Sequence, residues 1–241
     1  MAMKYEAVAD SLRKKIRTGA YRPGDQLPSI EHLCELYSVS KITVKKALDE
    51  LESSGLISRR RGSGSFVKNI KPLLGGRIGH FETSGQMAGF MNEHKSLGQT
   101  VQSVVKEFAV VTPPPEIASM LSIDEDQFCY HIVRIRIADD EPRTVEYTYM
   151  PINIIPGLRV KTLEDSIYNY IENDLGLKVA SGHRIVRAVL PTKDETEWLN
   201  ISRDSPMLEV EQVGYLDDGT AFEYSISRHP NGYEFRTISI N

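Results

Sequence analysis

Residues 56–67 read Leu56-Ile57-Ser58-Arg59-Arg60, then Arg61-Gly62-Ser63-Gly64, then Ser65-Phe66-Val67. The first five residues suit a strand, the next four a turn, and the last three a return strand. Three consecutive arginines leading into a glycine-rich tip make this a basic β-hairpin. Glycine at the tip lets the backbone approach a phosphate, or enter a minor groove, without a Cβ clash.

Upstream of the hairpin the apolar period changes from two to about 3.6. Tyr5, Val8, Ala9, Leu12 and Ile16 recur at helical spacing, which predicts an amphipathic helix over 4–17. Gly19 and Pro23-Gly24 break it. Ser29 is placed to cap a short helix whose apolar side is Ile30, Leu33 and Leu36. Ser40 is placed to cap a third helix, with Val39 and Val44 as a hydrophobic staple. In that helix Val44, Ala47, Leu48 and Leu51 form the inward stripe, and Gly55 ends it. Lys41, Thr43, Lys45 and Lys46 lie off the stripe in the first two turns, with Asp49, Glu50 and Glu52 further on. Taken alone, this is either a recognition helix entering a major groove by its N-terminal end or a solvated face with incidental lysines. The hairpin decides the matter. Three helices followed by a basic β-wing is the order of a winged helix-turn-helix, and Arg60 and Arg61 join the expected DNA contacts.

The formal charge of −4 on 241 residues does not by itself suit a DNA-binding protein. Its distribution does. Residues 1–71 hold 14 Lys/Arg against 8 Asp/Glu, a net +6, and residues 72–241 carry −10. A basic third beside an acidic remainder is the footprint of a small nucleic-acid module joined to a second domain. Cys34 and Cys129 lie in different halves without metal-ligand spacing and read as packed free thiols of a reducing compartment. No run approaches the roughly 20 apolar residues of a membrane span, and no secretion signal opens the chain. A cytoplasmic protein is expected. The boundaries read as a DNA-binding domain over 1–70, a Gly/Ser/Thr-rich linker over 71–89 and a second domain over 90–241.

The second domain alternates strands, turns and short helices. Strands are expected over 101–111, 128–138, 143–150, 184–190, 207–216, 221–228 and 233–240, with Asp139-Asp140-Glu141-Pro142 and Asp217-Asp218-Gly219 as turns. Helices are expected over 116–121, from Ser166 to Leu175, and after the capping box Thr192-x-x-Glu195. That pattern predicts an antiparallel α+β domain. On the strand Tyr130-His131-Ile132-Val133-Arg134-Ile135-Arg136-Ile137, Arg134 and Arg136 share one face with Tyr130 and Ile132. A hairpin centred near residue 140 would set Glu146 opposite Arg134. Two readings stay open here: fork-like donors for a planar anion, or an exposed sheet face with a cross-strand ion pair. The six histidines lack metal-ligand spacing, and neither a nucleophile elbow nor a phosphate-cradling Gly-Lys motif occurs. No catalytic residue, metal or cofactor is expected.

The sequence resembles the GntR family of transcription regulators across essentially the whole chain. The resemblance rests on Pro23-Gly24-Asp25-Gln26-Leu27-Pro28-Ser29, Val39-Ser40-Lys41-Ile42-Thr43-Val44-Lys45-Lys46-Ala47-Leu48, Leu51-Glu52-Ser53-Ser54-Gly55-Leu56-Ile57 and Gly62-Ser63-Gly64-Ser65-Phe66-Val67, in family order and spacing. It implies that Ser29, Lys41, Thr43, Lys45 and the wing around Gly64 contact operator DNA. Where many relatives read Ser-Glu-Arg-Glu-Leu, this chain reads Ser29-Ile30-Glu31-His32-Leu33, so a carboxylate replaces the arginine donor. Residues 90–241 resemble the effector-binding UTRA domain of the HutC subfamily, of chorismate-lyase-like fold. The matched pieces are Arg134-Ile135-Arg136, Glu146, Ser166-Ile167-Tyr168, Gly219-Thr220-Ala221-Phe222-Glu223 and Tyr233. The resemblance implies that Arg134, Arg136, Ser166 and Tyr168 hold the anionic group of a small effector, such as a sugar phosphate, while Glu146, Glu223 and Tyr233 meet hydroxyls. The expected function is operator binding by a homodimer, controlled by a small anionic metabolite. A C-terminal domain that only dimerises, and a lyase-like enzyme, are the alternatives.

Overall fold

Alternation of apolar and polar residues at helical spacing gives α1 (Lys4–Arg17), which buries Val8, Ala9, Leu12 and Ile16. These pack with Leu33 of α2 (Ile30–Tyr37) and with Val44, Ala47, Leu48 and Leu51 of α3 (Lys41–Ser53), every one below 5% exposed. Each buried leucine contributes roughly 1.5–3 kcal/mol relative to an exposed one. Leu36, expected on the inner side of α2, is 52% exposed, because the helix ends one residue later at Tyr37 and Ser38 turns the chain away with a left-handed φ of 51°. The caps are as expected: Ser29 Oγ accepts from His32 N and Ser40 Oγ from Thr43 N. Strands β1 (Ile57–Arg60) and β2 (Gly64–Val67) form the antiparallel wing, with Arg60 opposite Gly64.

The structure is a computed structural model that describes residues 4–69, 99–230 and 232. The expected linker over 71–89, the strand over 233–240 and Tyr233 lie outside the described residues. The chain divides into two compact units, residues 1–83 with 215–221, and residues 84–214 with 222–241.

The second unit is built on a six-stranded sheet. Its strands are β3 (Val101–Val111), β4 (Cys129–Ala138), β5 (Glu141–Pro151), β6 (Val179–Val189), β7 (Met207–Leu216) and β8 (Ala221–His229), in the order β3-β4-β5-β8-β7-β6. The β4–β5 turn is tighter than the four residues expected. Asp139 and Asp140 alone form it, at φ of 52° and 62°, and Glu141 and Pro142 already pair. On one sheet face Val133, Ile135 and Val145 pack with Met207 and with Leu199 of a helix, Lys193–Leu199, opened by the Thr192–Glu195 capping box. Glu195, fully buried there, accepts hydrogen bonds from Tyr147 Oη and from Arg228. Between β5 and β6 a short helix at Val160–Glu164, absent from the sequence reading, precedes the segment expected as one helix from 166 to 175. That segment is instead a three-residue α-turn, Ile167–Asn169, followed by a π-turn, Tyr170–Asp174. Leu175 N bonds to Tyr170 O across the wider ring, while Tyr170 Oη is anchored on Pro156 O.

The tip of the β7–β8 hairpin, expected with the second domain, groups with the first unit. Tyr215 Oη donates to Asn69 O at 2.9 Å, and Arg60 Nε lies 3.5 Å from Asp217. Gly219 has φ of 85°, and a Cβ there would come 3.3 Å from Val67 O.

Candidate functional site

In the first unit, the N-terminal ends of α2 and α3 and the wing carry the polar residues singled out from the sequence. Lys41 and Lys45 are exposed on the first turns of α3, and Thr43 is half-buried, its hydroxyl 2.9 Å from Ser40 Oγ. Lys46 lies elsewhere: its ammonium sits 4.1 Å from the centre of the Tyr5 ring on α1. Arg59, Arg60 and Arg61 diverge. Arg59 is paired with Asp49 and Glu52 of α3, and Arg60 lies near Asp217. A cavity of about 650 Å³ opens between α2 and the wing, lined among others by Ser29, Glu31, Arg60, Arg61 and Gly64. The wing tip is pinned from below, because Gln26 Nε2 donates to Ser63 O at 2.6 Å. Gly64 has φ of 126°, and a Cβ there would meet Gln26 Nε2 at 2.5 Å. Glycine is thus required both by backbone conformation and by this anchor.

The sheet face opposite Val133 and Ile135 holds the second group. Register places Arg136 beside Thr144 and Arg134 beside Glu146, with Ser227 next to Glu146 on β8. The face is not exposed: Arg134, Arg136, Thr144 and Thr148 are all below 8% exposed. Arg134 Nη2 donates to Glu146 at 2.7 Å and its Nη1 to Leu163 O at 3.1 Å, while Arg136 Nε lies 4.0 Å from the same carboxylate. Burial lowers the Arg136 pKa to about 10, opposed by Glu146 and reinforced by Arg134. Burial also works to raise Glu146, but Arg136, Arg134 and His229 together hold it below the usual carboxylate range. Two buried guanidinium groups therefore share one ionised carboxylate. Arg134 Nε and Ser103 Oγ, the latter opposite Arg136 on β3, are buried without a hydrogen-bond partner among the described residues.

Tyr168 and Glu223 form the adjoining part. Gln212 Nε2 lies 3.3 Å from both Tyr168 Oη and Glu223 Oε1, and Ser225 Oγ donates to Glu223 at 2.6 Å. Burial raises the Glu223 carboxyl above its ordinary value despite hydrogen bonds from Ser225 and Tyr168, with Glu146 adding to the rise. Ser166, 7% exposed, spends its hydroxyl as the cap for Asn169 N. The structure thus brings Arg134, Arg136 and Glu146 into one cluster and Tyr168 with Glu223 into its neighbour. Reading the sequence did not single out Gln212, Ser225, Thr144 or His229, whose ring Nδ1 lies 3.1 Å from Thr144 Oγ1. Strand parity with Glu223 and Glu146 was the available signal for Ser225 and Thr144. Gln212 and His229 depend on pairings between distant strands. The face thus holds a buried cross-strand ion pair, Arg134 with Glu146, beside further hydrogen-bonding groups.

Comparison with known proteins agrees with both halves. The model of the bacterial regulatory proteins of the gntR family matches residues 4–67, and that of the UTRA domain matches residues 96–233. The chain is similar to the HTH-type transcriptional regulator GmuR of Bacillus subtilis, at 39% identity over 99% of this chain and 98% of that protein. It is similar also to the mannosyl-D-glycerate transport/metabolism system repressor MngR of Escherichia coli, at 29% identity over 98% and 95%. Among solved structures, that of the possible transcriptional regulator YydK from Bacillus subtilis superposes with a TM-score of 0.58 at 27% identity, over 98% of this chain and all of that one. These relatives are regulators rather than enzymes. The chain belongs to the GntR family, in its UTRA-bearing HutC subfamily, and is a DNA-binding transcription regulator.

Proposed function

We propose that the protein is a cytoplasmic repressor, acting as a homodimer on a near-palindromic operator and released from it by a small anionic metabolite, a sugar phosphate being the class that fits best. The observation that carries the reading is the buried pair of guanidinium groups on one sheet face, both within 4.0 Å of Glu146. A phosphate or carboxylate placed beside Arg134 and Arg136 would accept from their planar guanidinium forks. Glu223, Gln212 and Tyr168 supply donors and acceptors suited to hydroxyl groups. Homodimerisation is supported by arithmetic. One recognition helix reads few base pairs, and twofold symmetry doubles the site, with half-sites roughly one helical turn apart. The name of the Escherichia coli relative, a repressor of a mannosyl-D-glycerate system, favours repression and a sugar-derived ligand.

A melting-temperature screen tests the ligand class with sugar phosphates, amino sugars, phosphonates and urocanate-like acids. A ligand present at a hundredfold its Kd stabilises the folded state by about 2.7 kcal/mol. The expected result is a rise confined to one phosphorylated or carboxylated class. If every anion leaves the melting temperature unchanged, the C-terminal domain serves only to dimerise.

A further inference from the structure

Glu31 stands where an acidic residue is costly, in the first turn of α2 on the surface that meets a polyanion. It is not left free there. Lys41, the first residue of α3, donates from Nζ to Glu31 Oε1 at 2.9 Å, and both side chains are 65% exposed. The Glu31 carboxylate also takes hydrogen bonds from its own backbone N–H and from the Ser29 side chain, and with Lys41 these hold it below the usual carboxylate range. The pair is neutral as a unit. It presents an ammonium donor and an ionised acceptor side by side, and Glu31 lines the cavity between α2 and the wing.

That juxtaposition has a complement in the major groove. A G·C pair offers adjacent acceptors, guanine N7 and O6, followed by the cytosine N4 amino donor. An A·T pair offers acceptor, donor, acceptor, so a carboxylate near adenine N6 also faces the thymine O4 lone pairs. We infer that Glu31 is a specificity-determining residue, the Lys41–Glu31 pair reading one G·C base pair, with Lys41 donating to guanine and Glu31 accepting from cytosine N4. Lysine alone at this position reaches a phosphate or a purine with little discrimination. The carboxylate makes the contact selective, because a donor that fails to meet it leaves an acceptor unpaired.

The test uses the full-length protein, a randomised double-stranded DNA pool and the variants Glu31→Ala and Glu31→Gln. Wild type is expected to select G·C over A·T at least about fivefold at one position of the site, the lower end for a single good base contact. In Glu31→Ala that preference falls below about twofold while preferences elsewhere persist. Glu31→Gln shifts the same position toward A·T, since an amide pairs with adenine N6 and N7. The competing account makes Glu31 an electrostatic brake that keeps Lys41 from phosphates. Under it, Glu31→Ala retains every base preference, binds all sequences more tightly and steepens the salt slope by about 1. That outcome, or an A·T preference of wild type at the affected position, would overturn the assignment.

Discussion

Arg136 stays charged at 3% exposure, even though burial pulls its pKa to about 10. That leaves it ionised at neutral pH. Arg136→Lys is therefore not a mild change, because a point charge replaces a planar fork. The expected loss of effector affinity is about 1.5–3 kcal/mol, roughly ten- to over a hundredfold, measured by calorimetric titration of the purified variant. Equal affinity in variant and wild type would make the pair structural. The strand sequence 130–137 was enough to place both arginines on one face, and the turn near 140 to place Glu146 opposite Arg134. Their burial was not legible, because it depends on a segment around Leu163 that folds back some 30 residues later. For the same reason Gln212 and His229 could not be found. Alternation within a strand is local, whereas the order β5-β8-β7 is not.

Elements were legible where a cap, a turn residue or a clean period marked them. The three helices, the wing and the capping box all carry such marks. The stretch 166–175 has helical composition but forms an α-turn and a π-turn, since Tyr170 is tied to Pro156, and no local signal encodes that tie. At the end of the wing, Lys68 is 3% exposed with Nζ 5.1 Å from the centre of the Tyr215 ring. Burial lowers its pKa to about 8, only partly opposed by Glu52. An unfolded lysine titrates near 10.4, so between about pH 8 and 10 the unfolded chain binds more protons and stability rises with pH. Below about pH 8 the full penalty applies, on the order of 3 kcal/mol. Lys68→Met should therefore raise the melting temperature near pH 7, with a gain that shrinks as the pH approaches 10. A gain equal at both pH values, or a loss at both, would show that the charge is not what limits this element.

At the scale of the whole molecule, a basic DNA-binding module and an acidic sheet domain are joined in one chain, as the split of charge about residue 71 suggests. An effector can shift such a protein between DNA-bound and free states only by its differential affinity for the two. Under the proposed function, the sheet-face cluster of Arg134, Arg136 and Glu146 supplies that difference. The direct measurement forms the complex of full-length protein with an operator recovered from the randomised pool, then titrates it with the ligand recovered from the melting screen, wild type beside Arg136→Lys. Wild type should release DNA over the concentration range in which the ligand stabilises the free protein. Arg136→Lys should hold the operator with unchanged affinity and need ten- to a hundredfold more ligand to release it. Release of both at one concentration, or no release of wild type at saturation, would contradict control through the arginine site.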